Sequence, residues 1–102
     1  MACMHRKKRD ESEEVLVRLF GSTSRPRILG FLIDHSQQAF YQREIVYETG
    51  LSLQAVQREL KNLVHLGILK KEETKAKVYY RIHSSSPWFD ALKEIYAASK
   101  KG

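Results

Sequence analysis

Apolar positions recur with a helical period along most of the chain, and the clearest case lies between Ser52 and Gly67. Gly50 can take the positive φ of a tight turn, Ser52 can cap the first N–H groups of a helix, and Gly67 can end it. No Glu or Gln stands three residues after Ser52, so the cap depends on Ser52 alone. The segment predicts a helix whose apolar stripe spans an arc of about 100°, formed by Leu53, Val56, Leu60, Leu63 and Val64.

The opposite face of this helix is polar and carries no acid. Gln54, Arg58, Lys61 and His65 fall together on it, Ala55 and Asn62 lie beside them, and Gln57 lies on the border. Amide and guanidinium groups can pair bidentately with base edges in a DNA major groove, and a small residue lets the backbone approach the bases. The alternative is a face that is simply solvated, as in most amphipathic helices.

Four further helices are predicted, over about 10–20, 22–34, 42–49 and 87–99. In the second, Pro26 is expected in the first turn, and Gly30 is expected to permit close packing. Residues 39–41 form a candidate edge segment. The short third helix, a turn containing Gly50 and the long fourth helix together match the helix-turn-helix arrangement.

After Gly67 the apolar period changes to about two, which predicts strands over 68–74 and 77–82. In the second strand Val78, Tyr80 and Ile82 share one face. Lys75 and Lys77 lie at or beside the tip of this hairpin. A hairpin of this kind after a recognition helix is a wing, and its lysines could reach phosphates or a minor groove.

The first and last helices carry broad apolar stripes that either pack on their own domain or pair with a second chain. The domain is small and both terminal helices offer such a stripe, which favours a dimer. The predicted dimer interface consists of Leu16, Leu19, Phe20, Trp88, Phe89, Leu92, Ile95 and Tyr96.

Composition and charge narrow the class of protein. The 102 residues suffice for one domain, and a net charge of +6 favours an anionic partner. Half of that charge lies in residues 1–10; residues 1–9 are predicted to be a disordered basic tail, and the domain is assigned to 10–99. The single cysteine, Cys3, excludes an internal disulfide and fits a reducing cytoplasm. No apolar run approaches the ~20 residues of a membrane span, and no signal peptide is visible.

Nothing in the sequence favours an enzyme, and we expect no catalytic residues, cofactor or metal. There is no glycine loop for phosphates and no paired-carboxylate pattern. The four histidines are scattered and none neighbours a plausible nucleophile: His5, His35, His65 and His83.

Several motifs together resemble the winged helix-turn-helix of ArsR-like transcriptional regulators. The matching stretches cover roughly residues 12–97. They are Leu19-Phe20-Gly21-Ser22 before Arg25-Pro26-Arg27-Ile28-Leu29, then Arg43-Glu44-Ile45, residues 50–60, Leu66-Gly67-Ile68-Leu69 and Val78-Tyr79-Tyr80-Arg81-Ile82.

The resemblance implies a mainly α fold with a β-hairpin wing and extra terminal helices, and a homodimeric regulator that binds double-stranded DNA. The residues expected to contact DNA are Ser52, Gln54, Ala55, Gln57, Arg58, Lys61, Arg43, Lys75 and Lys77. Well-known members sense metals through a Cys-x-Cys or through His and Asp on the last helix. This chain has no cysteine beyond Cys3 and no histidine after His83, so metal sensing is not expected.

Two alternatives to DNA binding stay open. The pattern is also similar to small winged-helix modules encoded beside, or fused to, minimal nucleotidyltransferases, which implies a protein partner. The modest charge of the domain without its tail favours this second hypothesis. Structured RNA is disfavoured, because the polar helix face suits a wide major groove better than the narrow one of A-form RNA.

Overall fold

The computed structural model describes residues 11–101, which form five helices and one antiparallel hairpin. The elements are α1 (Glu11–Phe20), α2 (Ser24–Asp34), α3 (Gln42–Thr49), α4 (Leu53–His65), β1 (Leu69–Glu73), β2 (Val78–Ile82) and α5 (Pro87–Lys101). The prediction of a mainly helical fold with a hairpin is therefore confirmed. The predicted disorder of residues 1–9 and the helix start at Asp10 lie outside the described residues. Among the helices of the described part, none has the length and apolarity to cross a membrane.

The core is built around α2, which packs against α1, α3, α4 and β2. Its inward residues Ile28, Leu29 and Leu32 are at most 1% exposed, because their spacing places them on one helical face. The cluster is completed by one residue of α3, three of α4, the residue before β1, the inner end of each strand and one residue of α5. These are Ile45, Val56, Leu60, Leu63, Ile68, Leu69, Ile82 and Leu92.

The predicted ends of α4 are confirmed. Gly50 and Gly67 have φ angles of 70° and 79°, in the left-handed region that glycine adopts without strain. The Ser52 hydroxyl oxygen accepts a hydrogen bond from the Ala55 N–H at 3.1 Å, so the serine caps the helix as expected. These local signals fix where the helix begins relative to α3.

The predicted first-turn position of Pro26 in α2 is confirmed. The helix begins at Ser24, so Pro26 is its third residue. The N–H groups of the first turn have no partner within a helix, so a proline is tolerated there without loss of a hydrogen bond. The start of α2 is also supported by the Ser22 hydroxyl oxygen, which accepts a hydrogen bond from the Arg25 N–H at 3.3 Å.

Gly30 permits the close packing that the sequence suggested. A Cβ atom at this position would lie 3.2 Å from Cε2 of Tyr96, so the ring of α5 rests against the bare backbone of α2. The Tyr96 hydroxyl donates to the Pro26 carbonyl at 2.6 Å, which holds the ring in place. Burial raises the pKa of Tyr96 above 10.0, since an ionised phenol would be desolvated there.

The hairpin pairs Leu69 with Ile82 and Glu73 with Val78. One further backbone bridge, from Phe40 outside the two strands, joins β2 at Tyr80. The N–H and carbonyl groups of Phe40 and Tyr80 exchange two hydrogen bonds of 2.8 Å. The candidate edge segment at 39–41 therefore exists as an isolated bridge. It ties the hairpin to the residues that lead into α3.

The terminal helices α1 and α5 pack on each other within the chain. Leu16 and Leu92 are buried, and Phe20, Phe89, Ile95 and Tyr96 pack against the core. Leu19 and Trp88 remain 62% and 47% exposed. Most of the stripe predicted for a dimer is thus already used inside one chain, which leaves Leu19 and Trp88 as the large apolar surface available to a second copy.

Candidate nucleic-acid interface

The polar face of α4 is open to solvent. Gln54, Gln57, Arg58 and Lys61 are exposed and Ala55 is half-buried. Ser52 is also exposed, but its hydroxyl oxygen is engaged in the cap. This bond fixes the start of the helix, and the contact of Ser52 with DNA stays a prediction.

Leu53 departs from the predicted apolar stripe of α4, because it is 49% exposed. Helical periodicity places it on the inner face, but it occupies the first turn, which projects beyond the core that buries Val56, Leu60 and Leu63. Leu53 instead lines an open cleft between α3, the start of α4 and the tip of the hairpin.

Glu59, the single acid of α4, is turned inward and is 4% exposed. Its Oε1 accepts from Nε of Arg25 in α2 at 2.7 Å, and its Oε2 lies 3.7 Å from Nε of Arg58. The carboxylate thus joins α2 to α4 and lies beside the candidate base-reading arginine. Sequence reasoning did not identify this pair, because Arg25 lies 34 residues away. The only signal was an acid bordering an otherwise apolar stripe.

Three of the residues expected to contact DNA carry charge that no other described residue neutralises. Arg43, Lys61 and Lys75 form no ion pair with a carboxylate within residues 11–101. All three are exposed, on α3, α4 and the hairpin tip respectively. An uncompensated cation at a surface is free to bind an external anion without first breaking an internal pair.

The cleft beside Leu53 has a mixed lining. Leu53, Val46 and Val78 supply apolar surface, and Arg43 and Lys77 supply positive charge. A nucleic-acid strand presents both apolar sugar faces and anionic phosphates, so this lining is chemically suited to it.

At one edge of the cleft two tyrosines and a lysine meet. The rings of Tyr41, which precedes α3, and Tyr79, in β2, stack with centroids 4.8 Å apart and an interplanar angle of 24°. Their hydroxyl oxygens are 3.2 Å apart, and Nζ of Lys77 lies 5.4 Å from the Tyr41 ring centroid. Hydrogen bonding from Lys77 and then from Tyr79 lowers the pKa of Tyr41, whereas the bond to Tyr41 raises the pKa of Tyr79.

The remaining chemistry of the described residues offers no competing centre. No group of three or more His, Cys, Asp or Glu side chains that could hold a metal ion occurs in that part of the chain. His65 is exposed at the end of α4, and His83 follows β2.

Comparison of the chain with protein-family models, with curated proteins and with solved structures finds no match. The resemblance to ArsR-like regulators therefore stays a prediction that depends on the motifs quoted above.

Proposed function

We propose that this protein is a winged helix-turn-helix regulator that binds specific sequences of double-stranded DNA as a homodimer. The observation that carries the proposal is the division of charge on α4: its amides and cations are exposed, and its single acid is buried against Arg25. A helix with this surface can enter a major groove without placing a carboxylate near the bases or phosphates.

Each exposed group has a defined role in the proposal. Arg58 contacts a base edge, most simply guanine, with Gln54 and Gln57 on the same helix. Arg43 and Lys61 hold backbone phosphates on either side of the groove, and the hairpin with Lys75 and Lys77 follows the backbone beyond it. Ala55 lets α4 approach the bases.

The dimer would form through the exposed remainder of the terminal helices. Leu19 and Trp88 are large apolar residues left open on α1 and α5. A two-fold dimer would place two copies of α4 in successive major grooves, about one helical turn apart.

Selection of bound sites from random duplex DNA, combined with the mass of the protein in solution, tests the proposal. An enriched palindrome with half-sites about 10 base pairs apart, together with a dimer mass, is the expected result. Absence of enrichment, with binding that disappears at moderate salt, would contradict sequence-specific recognition.

A protein-interaction module is the second candidate. The observation that favours it is exposed apolar surface at the start of α4 and on α3, where Leu53 and Tyr47 are 49% and 82% exposed. A fragment beginning at Asp10 removes the basic tail and separates the two hypotheses. Salt-sensitive DNA affinity in this fragment supports the regulator, and its loss supports the protein-binding module.

A further inference from the structure

One contact at the edge of the cleft contains more polar groups than packing of the hairpin requires. It is formed by Tyr41, Tyr79 and Lys77. Two phenylalanines could stack at 4.8 Å as well as the two tyrosines do, so the hydroxyls are not needed for the ring contact. The hydroxyls are nevertheless 3.2 Å apart, and the lysine lies over one of the rings. Polar atoms gathered at the edge of an open cleft indicate a ligand.

The hydroxyls of Tyr41 and Tyr79 together have one more O–H donor than the bond between them uses. A phenol has one O–H donor and can accept on its lone pairs. The Tyr41 and Tyr79 hydroxyl oxygens are 3.2 Å apart and share one hydrogen bond in which either can donate, so the other O–H of the pair is left without an acceptor in that bond. The lowered pKa of Tyr41, caused first by Lys77 and then by Tyr79, agrees with Tyr41 as the acceptor of this bond. Nζ of Lys77 lies 5.4 Å from the Tyr41 ring centroid and forms no ion pair with a carboxylate of the described residues.

The surroundings favour an anion. Arg43 and Lys77 both line the cleft, and the one carboxylate there, Glu44, is engaged: its Oε1 accepts from the Tyr41 N–H at 2.8 Å. A phenol that accepts a hydrogen bond is polarised and becomes a better donor to a charged oxygen.

We propose that Tyr41 and Lys77 bind one phosphate of the DNA backbone at the edge of this cleft, with Tyr79 orienting the Tyr41 hydroxyl. The inference rests on the proposed function, because it assigns a particular phosphodiester contact to the DNA-binding surface. Tyr41 is a direct phosphate donor in this arrangement, and Tyr79 is a positioning residue.

Interference with neutral phosphates tests the assignment. In each duplex carrying the selected site, one backbone phosphate is replaced by an uncharged methylphosphonate. The affinity of each duplex is measured for the wild-type protein, Tyr41→Phe and Tyr79→Phe. Tyr80→Phe is the matched control, since Tyr80 neighbours Tyr79 on the other face of β2. We expect Tyr41→Phe to weaken binding about tenfold and Tyr79→Phe about threefold, with no change for Tyr80→Phe.

The position-specific result distinguishes a phosphate contact from a general loss of hairpin packing. At one phosphate, neutralisation should cost the wild type about tenfold and cost Tyr41→Phe little, because the contact is already lost. Equal losses in both proteins at every phosphate would overturn the assignment.

A second measurement does not depend on duplex binding. Tyrosine ring resonances are followed by NMR during titration with inorganic pyrophosphate. A saturating shift at Tyr41 that is lost in Lys77→Ala supports the phosphate site, and an unchanged Tyr41 resonance contradicts it. If no duplex binds but the shift occurs, the proposed function fails and the phosphate site stands.

Discussion

The surface formed by α4 and the hairpin tip differs from the surface formed by α1 and α5 in what its cations contact. On α1 and α5, Arg18 lies 3.2 Å from Glu14, and Lys93 lies 3.6 Å from Asp90. On the other surface Lys61 and Lys75 have no carboxylate partner among the described residues.

This difference shows why net charge alone is a weak guide to function. Without residues 1–10 the chain carries only +3, a value compatible with many kinds of protein. Arg43, Lys61 and Lys75 lack a carboxylate partner among the described residues, although Arg58 on the same surface lies 3.7 Å from Glu59. On α1 and α5, Arg18 and Lys93 are paired, whereas Lys100 has no carboxylate partner among the described residues. Paired surface charges contribute little to binding or stability, whereas unpaired cations in an array attract a polyanion.

The largest expected effect comes from removing Glu59, the buried acid of α4. Glu59→Ala leaves the Arg25 guanidinium without its 2.7 Å partner in a partly buried position. We expect a loss of about 2–3 kcal/mol in the free energy of unfolding, because Arg25 retains some access to water. Urea denaturation measures it.

The matched control for this variant is Glu94→Ala, which removes an exposed carboxylate from α5. It should change stability by less than about 0.5 kcal/mol. Equal effects of the two variants would show that the buried pair contributes nothing particular to the fold.

Removal of the candidate base-reading arginine comes next in size. Arg58→Ala should cost about 1–3 kcal/mol of DNA affinity and relax the preference at one base pair, with stability unchanged. Binding of a panel of single-base variants of the selected site measures both effects. A uniform loss across all sequences, like that expected of Lys61→Ala, would make Arg58 a phosphate contact instead.

The α1 and α5 surface can be probed through the phenol that joins α5 to α2. The raised pKa of Tyr96 means that above pH 10 the unfolded chain loses this proton while the folded chain keeps it. The free energy of unfolding therefore falls as pH rises, by at most about 1.4 kcal/mol per pH unit.

Urea denaturation from pH 8 to pH 11 compares the wild type with Tyr96→Phe. The variant should be about 1 kcal/mol less stable at pH 8, because it lacks the hydrogen bond to Pro26, and should fall less steeply above pH 10. Tyr47→Phe, at an 82% exposed position, should follow the wild type. Parallel curves for the wild type and Tyr96→Phe would contradict the assignment to Tyr96.

The smallest expected effect is a change in the salt dependence of DNA binding, tested by removing one lysine from each surface. Lys75→Ala should reduce the slope of log affinity against log salt by about one, with a modest loss of affinity. Lys100→Ala removes the same charge from α5 and should leave the slope unchanged. Similar slopes for both variants would mean that the two surfaces do not differ in DNA contact.

Sequence patterns located the helices well where the signals were local. Ser52, Gly50 and Gly67 act on backbone groups a few residues away, so their roles in bounding α4 follow from composition and spacing. The order of the elements and the presence of the two strands follow in the same way, from periods of 3.6 and two.

The features that the sequence did not reveal depend on distant partners. The exposure of Leu53 follows from the extent of the core, which periodicity within one helix does not report. The Arg25–Glu59 pair and the Tyr41–Tyr79 stack each join residues more than 30 positions apart. Likewise, the intrachain packing of α1 on α5 left Leu19 and Trp88 as the exposed part of the predicted dimer interface.

The bridge between Phe40 and Tyr80 has a consequence for how the protein avoids aggregation. It covers part of the outer edge of β2, so that backbone is not fully open to another chain. The other edge of the described sheet belongs to β1, whose sequence Leu-Lys-Lys-Glu-Glu is charged at four of five positions. Adding a strand there would bury those charges, which disfavours recruitment of further strands. The two-stranded sheet is thereby limited to its own chain, although it is small and lies at the surface.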